Sequence, residues 1–220
     1  MYDEGFDGGT GFSQGRRPIK MTIGGTALNF RQVISSSLLL VAVVLGACSP
    51  QDSSSSAAPG KRELSLETVQ AQARGFAAGS VMSANTVYVF FDAQCPHCGR
   101  LWEASTPLHR KVKFMWIPVG LINSSSTTQG AALLTSANPV ELMTEHETSL
   151  LAGRGGISAS SSIPPEITQA IKSNTQIWTS FGAESVPFIV AKNLKTGQLV
   201  SKEGALTTDA LAGFLGLDFP

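Results

Sequence analysis

Hydrophobic and polar positions follow two periods along this chain, and the change from one to the other marks its centre. Val87 to Phe91 is an unbroken run of β-branched and aromatic residues, the pattern of a strand covered on both faces, as in a parallel sheet. Just beyond it, Cys98, Leu101, Trp102, Ser105 and Leu108 recur at helical spacing, giving one face to bury. Pro96 suits the first turn of that helix, where its missing N–H is not needed. Pro107, about three turns in, should kink or end it. A second apolar run, Lys113 to Val119, completes strand–helix–strand, and the handedness of such crossovers makes the two strands a parallel pair.

The flanking pattern is mostly helical. Leu66, Val69, Ala73, Phe76 and Ala77 lie loosely on one face and predict a helix over Leu64 to Ala78, ended by Gly79. Thr127 to Ser136 reads as a short Ala/Leu-rich helix, and Asn138-Pro139-Val140-Glu141 has the order of a capping box with a first-turn proline. In the helix that follows, His146 shares a face with Leu142, Met143 and Leu150, which reads as a packed histidine. His109, among Arg110, Lys111 and Lys113, reads as a solvated helix end. After a Gly/Ser loop from Gly153 to Pro165, Ile167, Ala170, Ile171, Ile177, Trp178 and Phe181 predict a longer amphipathic helix closed by Gly182. Residues 121–182 therefore read as a helical block inserted between strands. A strand at Val186 to Val190, a Gly197-Gln198 turn, a strand at Leu199 to Lys202 and a helix from Thr207 to Leu215 close the chain as β-β-α.

Composition changes the picture mainly at the N-terminus. With 220 residues, 42% of them hydrophobic, 15% charged and a formal net charge of zero, the chain has material for one core and no electrostatic preference for nucleic acid. Residues 1–20 are Gly-rich without apolar period, and Met21 is an alternative start. Residues 21–47 have the layout of an export signal: Arg31 precedes a short apolar core at Leu38 to Leu45, too short for a membrane span. Leu45-Gly46-Ala47-Cys48 then resembles a lipobox, in which Cys48 becomes the lipidated first residue. Residues 48–63, with four consecutive serines and Pro59, read as a flexible tether, and 64–220 as the folded domain.

Of the three cysteines, the remaining two form Cys95-Pro96-His97-Cys98. Cys95 falls at a helix N-terminus, where unpaired N–H groups and the helix dipole favour a thiolate and lower the pKa from about 8.5 towards roughly 3.5–7.5. Other uses of the motif fit less well. A zinc site needs two further ligands, and His109 and His146 lack ligand spacing. Haem attachment needs a His directly after the second cysteine, where Gly99 stands. A structural disulfide closing so short a loop would constrain little of the unfolded chain.

Strand, Cys-Pro-His-Cys, helix, strand, helical insert and a Val-Pro heading a β-β-α unit together resemble the thioredoxin fold of the bacterial Dsb proteins. Pro96-His97 is the dipeptide of DsbA, whereas Val87 to Trp102, Trp116 to Gly120, Gly130 to Leu134 and Asn138-Pro139 are similar to the catalytic domain of DsbC and DsbG. The resemblance covers about residues 64–217. It implies an α/β, thioredoxin-like fold with the helical insert, and a thiol:disulfide oxidoreductase in which Cys95 attacks and Cys98 resolves. It further implies that Pro187 is a cis-proline facing the dithiol and that the backbone of Val186 pairs with a substrate strand. Val186 replaces the Thr usual in DsbC and DsbG.

No cofactor is needed for this exchange. The expected partners are exported cysteine-containing proteins, a membrane or periplasmic redox partner, and the membrane itself through the lipid. Only the tether and one helix precede the first strand, which leads to the expectation of a monomer with weak isomerase activity. His97, by its imidazole or by N–H groups directed at Cys95, is expected to make the pair oxidising relative to thioredoxin. Asp92 reads as a turn residue, with a proton relay to Cys98 as the alternative. The competing functional class is a lipoprotein that binds a soft metal such as Cu(I) through Cys95 and Cys98.

Overall fold

The computed structural model describes residues 63–218. The stretches read as residues 1–20 and as the export signal 21–47, together with Cys48 and the tether up to residue 62, lie outside the described residues. In chain order the elements are α1 (Leu66–Gln72), β1 (Phe76–Gly79), β2 (Thr86–Asp92), α2 (Pro96–Ser105), a 3-10 turn (Thr106–Leu108), β3 (Lys113–Val119), α3 (Ser124–Thr135), α4 (Pro139–Leu151), α5 (Pro165–Ser180), β4 (Phe188–Lys192), β5 (Leu199–Glu203) and α6 (Thr208–Leu215).

The five strands form one sheet in the order β1-β3-β2-β4-β5. The apolar run at Val87–Phe91 is thus the central strand, parallel to β3 and antiparallel to β4. Its lack of alternation has a direct cause, because successive side chains enter different cores. Val87, Val89 and Phe91 pack with Leu101, Trp102, Met143 and Leu211 on one face. Tyr88 and Phe90 pack with Ile177, Trp178, Phe181 and Val69 on the other. Phe90 and Phe91 are fully buried, each contributing about 1.5–3 kcal/mol by removing apolar surface from water. The helical stripe of α2 is buried as its spacing requires, and the helix gives way to the 3-10 turn just before Pro107.

Five local expectations are corrected by the structure. The helix expected over Leu64 to Ala78 stops at Gln72, and Phe76–Gly79 instead pairs antiparallel with β3, Phe76 opposite Trp116. A weak helical period yields there to long-range packing. Gly75 lies too close to the Trp116 carbonyl to admit a Cβ, and Phe76 meets the edge of Phe91 with ring centroids 6.1 Å apart. The buried Asn174 of α5 accepts from Arg74 N at 2.9 Å and donates to the carbonyls of Arg74 and Pro118 at 2.8 and 2.9 Å, clamping that segment to the sheet.

The capping box expected at Asn138 does not form, since Asn138 makes no side-chain cap bond there. The reciprocal box belongs to Asn123 and Ser126, which starts α3 at Ser124, earlier than the Thr127 read from sequence. His109 is not a solvated end. It is half-buried between the rings of Trp102 and Phe114, at 5.6 and 5.5 Å, and burial lowers its pKa. Finally, Pro187 precedes β4 rather than opening it.

Candidate active site

β2 ends at Asp92, and the chain turns into α2 through Ala93 and Gln94. The buried Asp92 carboxylate accepts from Gln94 N at 2.8 Å with one oxygen and from Leu121 N and Ile122 N at 2.7 and 3.0 Å with the other. It ties the turn after β2 to the turn after β3, which is the structural role read for it, while both of its oxygens are taken up by backbone donors. Cys95 is the N-cap of α2, with its own N–H on the Asp92 carbonyl at 3.0 Å, and Pro96 occupies the first turn.

The two thiols are free and differ sharply in environment. Cys95 retains 5% exposure, whereas Cys98, one turn inside the helix, has none. The Cys98 S–H directed at the Cys95 sulfur is the largest influence on Cys95. Together with the backbone N–H groups of Cys98 and His97 it pulls the Cys95 thiol down to about 7, against the opposing effect of burial. Burial, reinforced by the hydrogen bond to Cys95, raises the Cys98 thiol well above its ordinary range. Of the two routes considered for His97, the structure provides the backbone one; the exposed imidazole is not among the groups that shift Cys95.

The register of β2 against β4, with Phe90 opposite Phe188, brings the residues before β4 beside those after β2. Val186 and Pro187 accordingly flank the dithiol. The Val186–Pro187 bond is cis, and the Cys95 sulfur is 3.5 Å from the Val186 carbonyl oxygen, within donating reach. Between them the two structural elements bring together Cys95, Pro96, His97, Cys98, Val186 and Pro187.

Residues not singled out by the sequence support this turn from the helical block. Gln94 donates to Gln129 at 2.5 Å and to the Gly155 carbonyl at 3.0 Å, and Gln129 donates to the carbonyls of Gly155 and Ile157 at 2.8 Å each. His146 is packed, as its face implied. Its Nδ1 accepts from Ile157 N at 3.2 Å, so Nε2 carries the proton it donates to the Ala93 carbonyl at 2.6 Å, and burial lowers its pKa. Gly156, at φ +85°, closes over that ring where any Cβ would strike it.

Glu147 was missed by the sequence reading. It is 1% exposed, and neither carboxylate oxygen has a hydrogen-bond partner. A Cβ on Gly99 would lie 2.5 Å from its Oε2, so the carboxyl rests against the turn of α2 that follows Cys98. The signal was its spacing, three and four residues from Leu150 and Met143 on the buried stripe of α4. Among the described residues no group of three or more His, Cys, Asp or Glu is placed to hold a metal ion.

A central strand feeding a Cys-x-x-Cys at a helix N-terminus, with a cis-proline just before the neighbouring strand, defines a thioredoxin-like fold carrying a dithiol whose second cysteine is wholly enclosed. Solved structures agree on the fold. A thioredoxin-like oxidoreductase from Silicibacter pomeroyi superposes with a TM-score of 0.54 at 16% identity, covering 70% of this chain and 96% of that one. A periplasmic thioredoxin-like protein from Salmonella enterica serovar Typhimurium gives 0.53 at 17% identity, covering 65% and 88%. In sequence, the chain is similar to the thiol:disulfide interchange protein DsbG of Pseudomonas aeruginosa, 32% identical over 148 residues, which are 66% of this chain and 56% of that protein. It is also similar to DsbG of Escherichia coli, 29% identical over 105 residues, 47% of this chain and 42% of that protein. The chain therefore spans about half the length of the curated relatives it matches. No family model matches it.

Proposed function

We propose that this chain is a thiol:disulfide oxidoreductase of the cell envelope that exchanges disulfides with exported proteins. The observation that carries the reading is the asymmetry of the dithiol: Cys95 at the helix N-terminus with a thiol near 7, and Cys98 buried with its thiol raised. The name of the curated relatives, thiol:disulfide interchange protein, supports the same chemistry. The Cys95 thiolate attacks one sulfur of a substrate disulfide, and the other sulfur leaves as a thiolate that takes a proton from water. Cys98, on losing its proton, then attacks the Cys95 sulfur and expels the substrate's second thiolate. The substrate gains two electrons and the protein becomes the disulfide; the reverse sequence oxidises a substrate dithiol. Pro187 and the backbone of Val186 border the attacking sulfur and are the proposed contacts for an extended substrate segment.

The test is to trap the intermediate. Cys98→Ala should accumulate mixed disulfides through Cys95 with envelope proteins in vivo, visible as thiol-sensitive adducts on gels. Adducts absent from Cys98→Ala, or equally abundant in a Cys95→Ala, Cys98→Ala double variant, would sink the reading.

Residues 21–47 act as the export signal, Cys48 carries lipid, and the Ser-rich tether lets the domain reach substrates from a membrane surface. Among the described residues no helix is long and apolar enough to cross a membrane. Full-length protein should partition into membranes and Cys48→Ala should not; an unmodified Cys48 in the mature protein, by mass spectrometry, refutes the anchor.

A further inference from the structure

Glu147 is a buried acid for which thiol exchange as described above gives no use. It projects from α4 against α2, and the space for it exists because residue 99 is glycine: the nearest atoms to a Cβ there are Glu147 Oε2 at 2.5 Å and Leu151 Cγ at 3.1 Å. Burying an ionisable carboxyl without a partner is costly, and such a group escapes the cost by keeping its proton.

The neighbouring elements offer it no cation. On α2, the charges that act on it are the Cys95 thiolate and Glu103, both negative, and Cys98 beside it is an acid as well. His97 and Arg100 of α2 and Arg154 after α4 are exposed. Asp92 is held by backbone donors, and the adjacent His146 turns to the Ala93 carbonyl. On its own helix Glu141 and Glu145 are exposed, and α3 and β1 carry no charged residue.

We propose that Glu147 is a redox-linked proton site, holding its proton more tightly when the dithiol forms and more loosely when the disulfide forms. The inference rests on the thiol-exchange reading. Reduction by an external thiol breaks the Cys95–Cys98 bond and adds two electrons; Cys98 takes one proton and Cys95 stays a thiolate above pH 7. That new negative charge acts on the Glu147 carboxyl, which is itself buried, and unit charges interact more strongly away from water than in it. A carboxylate there, already disfavoured by burial, is disfavoured further once the thiolate exists, so at pH values where the disulfide form begins to lose this proton, reduction brings a further fraction of a proton to Glu147. The direction of its pKa agrees: burial first, and the Cys95 charge second, push it up to about 9 in the dithiol form. Glu147 acts through charge on the dithiol without touching substrate, which makes it a positioning residue.

The experiment is the pH dependence of the reduction potential between pH 7 and 9. The protein is equilibrated with glutathione buffers corrected for the titration of glutathione itself, for the native protein and for Glu147→Gln. Each proton taken up with two electrons changes the equilibrium tenfold per pH unit, about 30 mV. The native protein should take up more than one proton and Glu147→Gln one, so their slopes should separate. A purely structural Glu147 would shift the potential without changing its slope, and identical slopes overturn the proposal. Should the variant fail to fold, infrared difference spectra of native protein decide: a protonated-carboxyl band must grow on reduction, and its constancy refutes the idea. Failure to form any dithiol–disulfide couple would instead refute the thiol-exchange reading itself.

Discussion

Cys95→Ser should reduce disulfide exchange to the uncatalysed rate, while Cys98→Ser should retain the first attack and stall at the mixed disulfide. The difference comes from placement. Cys95 alone retains some exposure, 5%, together with a thiol held near 7, whereas burial keeps the Cys98 thiol protonated and out of reach. Iodoacetamide offers a direct reading, since only the thiolate reacts. The reduced protein should lose one thiol at Cys95 with a midpoint near 7, the rate falling about tenfold per pH unit below it. Cys98→Ala should raise that midpoint, because the Cys98 S–H is the largest influence holding it down. His97→Ala should leave it in place, because the backbone N–H survives the substitution. Faster labelling at Cys98, or a midpoint set by the His97 ring, would reverse the assignment.

A Cys95 thiol near 7 also bears on redox poise. It matches the value of about 7 in thioredoxin and is far from the roughly 3.5 of DsbA. The pair's reduction potential, equilibrated against glutathione buffers, tests the expectation that it is oxidising relative to thioredoxin, and a potential as low as thioredoxin's refutes it.

The second large effect is on stability. Glu147 has a folded-state pKa near 9 against an ordinary 4.5, so between those values the folded protein binds a proton that the unfolded chain does not. Stability then falls as pH rises through that window, by up to about 1.4 kcal/mol per unit. At pH 7 the accumulated cost is about 3 kcal/mol, a large part of the stability of an ordinary domain. Other groups act in the opposite sense. Cys95, lowered from 9.0 to about 7, adds stability as pH rises between those values, and the lowered His109 and His146 add it as pH rises towards 6.5. The contribution of Glu147 is isolated by comparing the reduced native protein with Glu147→Gln in chemical denaturation at several pH values. The stability of the variant relative to native should increase steadily from pH 5 to 9. A difference that does not vary with pH would show that Glu147 is not a buried neutral acid.

Local sequence was sufficient for several features because neighbouring residues alone generate them. The run Val87 to Phe91 needs cover on both faces, and only a central strand supplies it. Pro96 and the stripe from Cys98 to Leu108 start and orient α2, which places Cys95 at an N-terminus whatever the rest of the chain does. The packed state of His146 followed from Leu142, Met143 and Leu150 in the same way.

Other features depend on partners distant in the chain. Phe76–Gly79 becomes a strand because β3 offers it an edge, a pairing that outweighs a weak helical period. Asn123 rather than Asn138 closes a capping box because its helix start is held against the turn at Gln94, with Asn123 Nδ2 3.2 Å from Gln94 Oε1. The approach of Val186 to Cys95 is fixed by the register of β4 on β2. Glu147 shows the limit most clearly. Spacing can place a carboxyl on a buried stripe, but only the docking of α4 on the Gly99 turn of α2 decides that it meets no cation and feels the charge of the Cys95 thiolate, and a pKa is set by such neighbours rather than by the residue itself.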